Sequence, residues 1–365
     1  MTRISCTGCG HSYPDIGVPY RCPRCGGVFD YTEWPIYNPE LLQPHFPGIW
    51  RYRAAFGLPD EAVPVSLGEG NTPLVWADVE SRPVAFKLEF LNPSGSYKDR
   101  GSATLMSFLR SRGILSAIED SSGNAGASFA AYAARAGVGA KVYIPDAASG
   151  PKRYQIQVYG SETVRIMGPR SNAAEAVLRA ADEGQVYASH AYLPFGLPGY
   201  ATIAYELVEQ LGKAPGTVLA PVGQGNLLLA IGRGFTALRN AGIITKEPFL
   251  VGVQARACAP LWAVYQYGTA GLGWVTEGDT LAEGVRVKHP LRGDALLRLL
   301  IENGGIMLAV DEEKILPGRD QLARIGLYVE PTSAILWDGL AQISGDVPEP
   351  VVLILTGSGL KTFVT

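Results

Sequence analysis

The fold of this chain is decided by the stretch Asn92-Pro93-Ser94-Gly95-Ser96-Tyr97-Lys98-Asp99-Arg100-Gly101. An apolar segment at 84–90, which predicts a strand, precedes it, and a predicted helix follows, so Lys98 stands at a strand-to-helix junction. In α/β folds the loops at such junctions build ligand sites. The positive end of the helix macrodipole disfavours an ammonium ion, so a lysine there can serve as a nucleophile. Taken alone, the same lysine is also compatible with a solvated surface position.

Short apolar segments alternate with alanine-rich segments along most of the chain, which predicts an α/β fold with mainly parallel sheets. The predicted strands are 84–90, 141–144, 217–222, 249–254 and 351–355. The predicted helices include 125–136, 172–182, 227–241 and 334–343. A chain of 365 residues is long enough for two domains.

Three further segments are rich in glycine or hydroxyl groups, and we place them, like the first, at strand-to-helix junctions. Ser-Ser-Gly-Asn-Ala-Gly-Ala-Ser at 121–128 opens an alanine-rich helix, whose free backbone N–H groups can seat a carboxylate or a phosphate. An ordinary helix cap with a glycine turn is the alternative. The loop at 221–227 suits a phosphate, although it lacks the Gly-Lys-Ser/Thr of a nucleotide P-loop and the third glycine of a dinucleotide fingerprint. The segment 355–361 ends the last strand.

Four cysteines near the start, Cys6, Cys9, Cys22 and Cys25, form two C-x2-C pairs separated by twelve residues. This spacing predicts a tetrahedral zinc site with four thiolate ligands and no open position, and therefore a structural metal. The alternatives are cysteines that pack without metal, a redox pair, or a nucleic-acid finger, which no basic patch supports. We expect a zinc-ribbon-like module at 1–30, an irregular arm at 31–64 rich in proline and aromatic residues, and a main body at 65–365.

Composition narrows the classes of partner. The net charge of −3 gives no general attraction to nucleic acid or to acidic membranes, and no apolar run is long enough to span a bilayer. The first residues lack the apolar stretch of a signal peptide, so a cytoplasmic location is expected. Cytoplasmic thiols stay reduced, which argues against structural disulfides.

In number and order these segments resemble the fold-type II pyridoxal phosphate enzymes, a two-domain α/β fold of the tryptophan synthase β type, and among them the threonine synthases. The matching stretches are Glu-Gly-Asn-Thr-Pro-Leu at 69–74, the cofactor-lysine motif at 92–101, Ser-Gly-Asn at 122–124, the loop at 223–227 and Thr-Gly-Ser-Gly-Leu-Lys at 356–361. Ser358 stands where histidine is common. The resemblance covers about 65–361, and the cysteine module is similar to those of some threonine synthases and of cysteate synthase.

The resemblance implies a role for each segment. Lys98 holds pyridoxal phosphate covalently and acts as the base on the substrate Cα proton. The cofactor ring and phosphate are bound by Asn124, by the backbone amides of Gly223, Gln224, Gly225, Asn226 and Leu227, and by the hydroxyl of Thr356, which meets the pyridine nitrogen. Ser121, Ser122 and the amides after them take the substrate carboxylate. The family pattern also implies a smaller mobile domain at about 100–210 and a homodimer.

One stretch departs from the threonine synthase pattern. Expelling phosphate from O-phosphohomoserine requires a cation site. At 188–202 Ser189 remains as a substrate-binding candidate, but Gly196 stands in the arginine position and Ala201 in the lysine position. His190 is the cationic candidate within this stretch, and a hydrogen-bonded structural histidine is the alternative reading.

Three residues elsewhere, Lys152, Arg153 and Arg286, are candidates to replace the missing charge, and each is also compatible with a solvated surface. The main prediction is a threonine synthase that converts O-phosphohomoserine and water to threonine and phosphate. The alternative is β-elimination or β-replacement on another small amino acid, as in a serine or threonine dehydratase, an ammonia lyase, or a cysteate- or cysteine-synthase-like enzyme. A non-catalytic binding module is a third reading, against which the intact Lys98 motif argues.

Overall fold

The computed structural model describes residues 3–146, 150–168, 170–343, 345 and 347–362. The strands are β1 (Arg3–Cys6), β2 (Phe29–Glu33), β3 (Leu74–Val79), β4 (Arg82–Lys87), β5 (Ser116–Glu119), β6 (Gly139–Pro145), β7 (Glu162–Ile166), β8 (Thr217–Pro221), β9 (Phe249–Ala255), β10 (Ile306–Val310) and β11 (Val351–Ile354). The helices are α1 (Lys98–Ser111), α2 (Asn124–Ala136), α3 (Pro151–Val158), α4 (Arg170–Asp182), α5 (Leu197–Leu211), α6 (Asn226–Asn240), α7 (Pro260–Tyr267), α8 (Gly293–Glu302), α9 (Ile315–Arg324) and α10 (Pro331–Gln342).

The predicted α/β fold is confirmed. The five predicted strands are β4, β6, β8, β9 and β11, and the four predicted helices are α2, α4, α6 and α10, with ends that differ by at most three residues. The predictions from sequence do not include β1, β2, β3, β5, β7 or β10. Of the two missed strands in the sheet of β6, β5 has only four residues and β7 carries charged side chains at two of its five positions. None of the described helices is long and apolar enough to cross a bilayer.

The chain forms two compact units. Unit 1 contains the residues up to Gly70 together with Asn92–Tyr200, and unit 2 contains Asn71–Leu91 and Ala201–Lys361. In unit 1, β5, β6 and β7 form a parallel sheet, and the small antiparallel pair of β1 and β2 carries the first cysteine. A parallel bridge between Ile118 and Tyr187 extends the β5 edge of the sheet.

Unit 2 is built on a six-stranded sheet in the order β10-β9-β8-β11-β4-β3, in which only β3 runs antiparallel to its neighbour. Its central strands β8 and β11 are buried along their whole length, as expected for a parallel sheet covered on both faces. Because β8 and β11 are parallel neighbours, their carboxyl ends lie at the same edge of the sheet. The loop at 223–227 and Thr356 follow these two ends.

The Glu69–Leu74 motif has a structural role in each unit. In unit 1 the buried carboxylate of Glu69 accepts hydrogen bonds from Trp50 Nε1 at 2.7 Å and from the Tyr132 hydroxyl at 2.6 Å. In unit 2 the fully buried Lys87 Nζ donates to the Thr72 carbonyl and to Glu206 Oε2, each at 2.7 Å. A buried charge of this kind is stable only when it is paired, so the motif anchors both units.

Candidate active site

Lys98 is the first residue of α1, and the loop before it is fixed by the neighbouring carboxylate. The fully buried Asp99 accepts hydrogen bonds from Ser94 N at 2.6 Å and from Ser94 Oγ at 2.5 Å. Ser128 Oγ, on α2, donates to the same carboxylate at 2.6 Å. An acidic side chain in the first turn also complements the helix dipole. Asp99 therefore holds the lysine loop, α1 and α2 in one arrangement.

Two aromatic rings flank the amine of Lys98. Its Nζ lies 4.9 Å from the ring centroid of Tyr97 and 5.9 Å from that of Tyr200. A side chain at Gly101 would come within 2.4 Å of the Tyr200 ring, so glycine is required there. Burial raises the pKa of Tyr200 well above its ordinary value, which keeps its phenol neutral. The sequence does not single out Tyr200. The signal that could have indicated it is Gly101 in the lysine motif, because a glycine there permits the close approach of an aromatic ring.

The start of α2 presents backbone N–H groups that no side chain caps. Ser121 Oγ accepts a hydrogen bond from Gly123 N at 3.2 Å, which shapes the turn. A Cβ at Gly126 would lie 1.8 Å from the Ser121 carbonyl oxygen, so only glycine permits this approach. Ser122 and Asn124 are half-buried beside these amides. An uncapped helix start is a site for a carboxylate or phosphate.

The segment 187–192 contains Ser189 and His190, the substrate-binding candidate and the cationic candidate of the stretch 188–202. Ser189 is fully buried, and its Oγ accepts hydrogen bonds from the amides of Ala191 and Tyr192, each at 3.3 Å. His190 Nδ1 lies 2.7 Å from Oε1 of the buried Glu119. Ser189 thus stabilises the turn, and His190 is a hydrogen-bonded histidine.

The two members of this pair have opposite pKa shifts. Burial, followed by the nearby charge of Asp120, raises the pKa of Glu119 well above its ordinary value. Burial, followed by the charges of Lys98 and Arg170, lowers the pKa of His190 well below its ordinary value. Both shifts favour the neutral form of each group, which makes His190 a poor candidate for the missing cation.

Lys152 and Arg153 lie in the first turn of α3, and both are half-buried. Gln155, in the same helix, donates from Nε2 to the carbonyl of Ser94 in the lysine loop at 3.1 Å. The structure therefore brings the start of α3 close to the loop that carries Lys98. Arg286 belongs to unit 2, where its guanidinium lies 2.8 Å from the carboxylate of Asp279.

In unit 2, the loop at 223–227 leads from β8 into α6. Gly225 caps the helix in the left-handed conformation (φ 84°), and no side chain caps the first amides. A Cβ at Gly223 would lie 2.6 Å from the carbonyl oxygen of Gly284, so the close approach requires glycine. Gln224 Oε1 accepts a hydrogen bond from Leu291 N at 3.1 Å, which fixes the loop. Asn226 and Leu227 are buried at the helix start, where the backbone can bind an anion.

Thr356, after β11, is buried next to a second hydroxyl that the sequence does not single out. Its Oγ1 lies 2.8 Å from Ser333 Oγ. Ser333 Oγ also accepts hydrogen bonds from the amides of Thr356 at 2.8 Å and Gly357 at 3.3 Å. With two amides donating to it, Ser333 directs its own proton at Thr356 Oγ1. The hydroxyl proton of Thr356 then remains available as a donor.

The four predicted zinc ligands come together in unit 1. Their Sγ atoms all lie within 4.8 Å of one another, with 3.4 Å between Cys6 and Cys25 and 3.7 Å between Cys9 and Cys22. A Cβ at Gly27 would lie 2.8 Å from Cys6 Sγ, so glycine leaves room for the sulfur. Four thiolates around one zinc at about 2.3 Å are separated by distances of this order. The residues fit a tetrahedral metal site.

Comparison with known proteins gives a consistent result. The sequence model of the family described as pyridoxal-phosphate dependent enzymes matches residues 65–357. The chain is 33% identical to threonine synthase of Methanocaldococcus jannaschii over 98% of this chain and 92% of that protein. It is 34% identical to threonine synthase of Mycobacterium tuberculosis over 88% and 91%, respectively.

Solved structures show the same fold. A threonine deaminase from T.th. aligns with a TM-score of 0.67 and 26% identity over 80% of this chain and 94% of that one. Maize serine racemase aligns with a TM-score of 0.66 over 79% and 88%, and at 20% identity it supports the fold alone.

Proposed function

The chain belongs to the pyridoxal-phosphate-dependent enzymes, among the threonine synthases, and from that premise we propose that it converts O-phosphohomoserine and water to threonine and phosphate. The observation that carries this proposal is similarity to threonine synthases over nearly the whole chain, up to 99% of its length. The geometry around Lys98 supports it, because a lysine fixed at a helix start beside two aromatic rings suits a cofactor-bearing amine.

The residues present fit pyridoxal phosphate. The uncapped start of α6 and the close approach at Gly223 suit the cofactor phosphate, which needs backbone donors. The hydroxyl of Thr356, oriented by Ser333, suits the pyridine nitrogen, and Asn124 suits the ring hydroxyl. When bound, the cofactor supplies an electron sink for the bond broken at the substrate Cα.

The substrate is proposed to bind through its carboxylate to Ser121, Ser122 and the first amides of α2. In this arrangement Lys98 removes and returns the proton at the substrate Cα. Proposed closure of the segment 100–210 excludes water from the reacting atoms. Ser189 contributes by shaping the turn at 189–192, because its hydroxyl oxygen already accepts two backbone hydrogen bonds.

The leaving phosphate requires positive charge, and we assign that role to Lys152 and Arg153. His190 is unsuited to it, since burial beside Lys98 lowers the pKa of its imidazole. The two cations lie at the start of α3, one turn from Gln155, whose amide reaches the lysine loop. A phosphate dianion held by such cations is bound by charge-assisted hydrogen bonds.

A second candidate function follows from the same segment. Burial shifts the pKa values of His190 and Glu119 toward their neutral forms, and the stretch 188–202 contains neither lysine nor arginine. A neutral hydrogen-bonding pair suits a hydroxyl or amine leaving group better than a dianion. This feature favours β-elimination or β-replacement on an unphosphorylated amino acid, and the T.th. threonine deaminase shares the fold.

The deciding experiment measures kcat/KM for O-phosphohomoserine beside a panel of unphosphorylated hydroxyamino acids, including serine and threonine. Phosphate, ammonia and keto-acid release are assayed in parallel. Phosphate release with threonine as product supports the threonine synthase proposal. Keto-acid release from a neutral amino acid, with no turnover of O-phosphohomoserine, supports the second candidate. An enzyme that binds the cofactor but turns over neither class contradicts both.

Three further assignments accompany the proposal. We infer that the four-cysteine cluster binds one structural zinc, supported by its all-thiolate donor set and its sulfur spacing. We also propose a homodimer, as is common among such enzymes. A cytoplasmic location is proposed because cytoplasmic thiols stay reduced, as the four zinc-binding cysteines need to be.

A further inference from the structure

The four-cysteine module packs aromatic side chains against residues 187–195 of unit 1 and, through Tyr13, against Phe108 of α1 at 6.3 Å between ring centroids. The Tyr20 ring centroid lies 5.3 Å from that of Tyr187 and 5.2 Å from that of Tyr192, both edge to face. The Tyr13 ring makes a similar contact with Phe195 at 5.0 Å. Contacts of this geometry are the favourable arrangement for aromatic pairs, and Tyr20 and Tyr187 are both buried.

Polar contacts fix the orientation of this packing close to a cysteine ligand. Arg21 Nη2 lies 2.8 and 3.0 Å from the two carboxylate oxygens of Asp182, and the Tyr20 hydroxyl donates to the same carboxylate at 3.2 Å. Tyr20 and Arg21 directly precede Cys22. The turn that holds the third cysteine therefore carries both the aromatic and the polar contacts.

The segment 187–195 connects in turn to the strand that leads to the predicted substrate serines. The Tyr187 hydroxyl donates to Asp120 Oδ1 at 2.7 Å, and Asp120 directly precedes Ser121. The amide of Ala188 donates to the carbonyl of Ile118 at 2.9 Å. A path of direct contacts therefore runs from Cys22 through Tyr20 and Tyr187 to the start of α2.

We propose that the four-cysteine module is a positioning element for the substrate-binding turn at 120–123, and that Tyr20 is the positioning residue through which it acts. The role of Ser121 and Ser122 in binding substrate rests on the proposed function. With the metal bound, the turn at 22–26 is fixed and Tyr20 holds the Tyr187 ring against Asp120. Loss of the metal releases Tyr20, and the turn at 120–123 loses its fixed position.

This role has a distinct kinetic signature. The Tyr20 ring packs on Tyr187 and Tyr192 and not on the residues proposed to bind the cofactor, so cofactor binding and the proton-transfer step are preserved when it is changed. Tyr20→Ala should raise KM for O-phosphohomoserine by about tenfold and change kcat by less than about twofold. Tyr20→Phe keeps both ring contacts and should stay close to the wild-type KM.

The test uses hydrogen exchange of the holoenzyme without substrate, so that it does not depend on which substrate is correct. Tyr20→Ala, and separately wild type stripped of metal by a chelator, should exchange about fivefold or more faster in peptides covering 117–123 and 186–195. Peptides from β6 should be unchanged. Tyr31→Ala is the matched control, because this tyrosine lies in β2 directly after the module and packs against Trp34, at 5.0 Å between ring centroids.

Unchanged exchange at 117–123 and 186–195 after metal removal would overturn the proposal. So would an equal increase in β6, since that pattern reports general loosening of unit 1, or the same effect in Tyr31→Ala. If O-phosphohomoserine is not turned over while exchange changes as expected, the proposed function fails and the positioning role stands. If turnover is normal and exchange is unaffected, the positioning role fails alone.

Discussion

His190 Nδ1 lies 2.7 Å from Oε1 of Glu119, whose other carboxyl oxygen is buried and has no hydrogen-bond partner among the described residues. The carboxyl group is almost completely buried, and the imidazole keeps about a fifth of its surface exposed, at 22%. Burial raises the pKa of Glu119 and lowers that of His190, so both shifts favour the neutral form of the pair. The segment that would supply cations to a leaving phosphate instead supplies a pair in which burial disfavours the charged forms.

The stability of the protein should depend on pH through Glu119. Because its folded pKa lies above the ordinary value of 4.5, the native state binds more protons than the unfolded state above pH 4.5. Stability from this group is therefore present below pH 4.5 and is lost as pH rises through the folded pKa. Glu119→Gln keeps the shape of the side chain but cannot ionise. As pH rises above 4.5, the free energy of unfolding of wild type should therefore fall relative to that of the variant, by up to about 1.4 kcal/mol per pH unit.

Urea denaturation of both proteins between pH 5 and pH 8 checks this prediction. Asp120, Tyr187, Lys98 and Arg170 also lie in the electrostatic surroundings of the pair, so each measurement compares the variant with wild type at one pH. His190 acts in the opposite sense, since its lowered pKa costs stability as pH falls below 6.5. Parallel curves for the variant and wild type would show that Glu119 ionises normally.

Lys98→Ala should abolish turnover and the visible absorbance of the lysine-bound cofactor, because no other amine takes its place at the start of α1. The fold should persist, since Asp99 and its serine partners are untouched. Lys314→Ala is a matched control, as this exposed lysine caps the start of α9. Retention of the absorbance band and of turnover in Lys98→Ala would show that Lys98 is not the cofactor-binding lysine.

Thr356→Val replaces the buried hydroxyl with a methyl group of similar volume. If the hydroxyl donates to the cofactor ring, its loss should weaken cofactor affinity about two- to tenfold, corresponding to about 0.5–1.5 kcal/mol for one hydrogen bond. Thr356→Ser keeps the hydroxyl next to Ser333 and should bind the cofactor nearly as well as wild type. Cofactor titration followed by absorbance distinguishes the two, and equal affinities for Val and Ser would rule out the donor role.

Lys152→Ala and Arg153→Ala should each cost about 2–5 kcal/mol of transition-state binding with O-phosphohomoserine, because a buried phosphate loses one partner. This corresponds to a fall in kcat/KM of about 30-fold or more. Substrates with neutral leaving groups should be affected little. Lys141→Ala, which breaks an exposed pair with Glu162, serves as the control. Equal losses of kcat/KM for phosphorylated and neutral substrates would show that the two residues stabilise the structure and do not bind the leaving phosphate.

Elemental analysis should find one zinc per chain. Cys22→Ser removes one of the four ligands and should loosen the N-terminal module, because metal binding supplies most of the stability of so small a unit. Catalysis needs no open metal position, so Lys98 chemistry should persist at saturating substrate. Protein with an ordered module and no bound metal would contradict the zinc assignment.

The sequence alone determined the features that depend on neighbouring residues. Alternating apolar and alanine-rich segments give the α/β fold, and glycine loops after strands mark the starts of α2 and α6, because strand, turn and helix preferences act over a few residues. The spacing of the four cysteines likewise follows from two local turns. Lys98 is predicted at a helix start for the same reason.

Only the tertiary structure decided which distant side chains meet. Asp99 with Ser128, Glu119 with His190, Ser333 with Thr356 and Tyr20 with Tyr187 are pairs separated by 23 or more residues. No periodicity or local motif encodes such pairs, since they depend on how strands cross over and helices pack. The direction of the His190 pKa shift and the contacts of the cysteine module with residues 187–195 therefore follow from packing and burial.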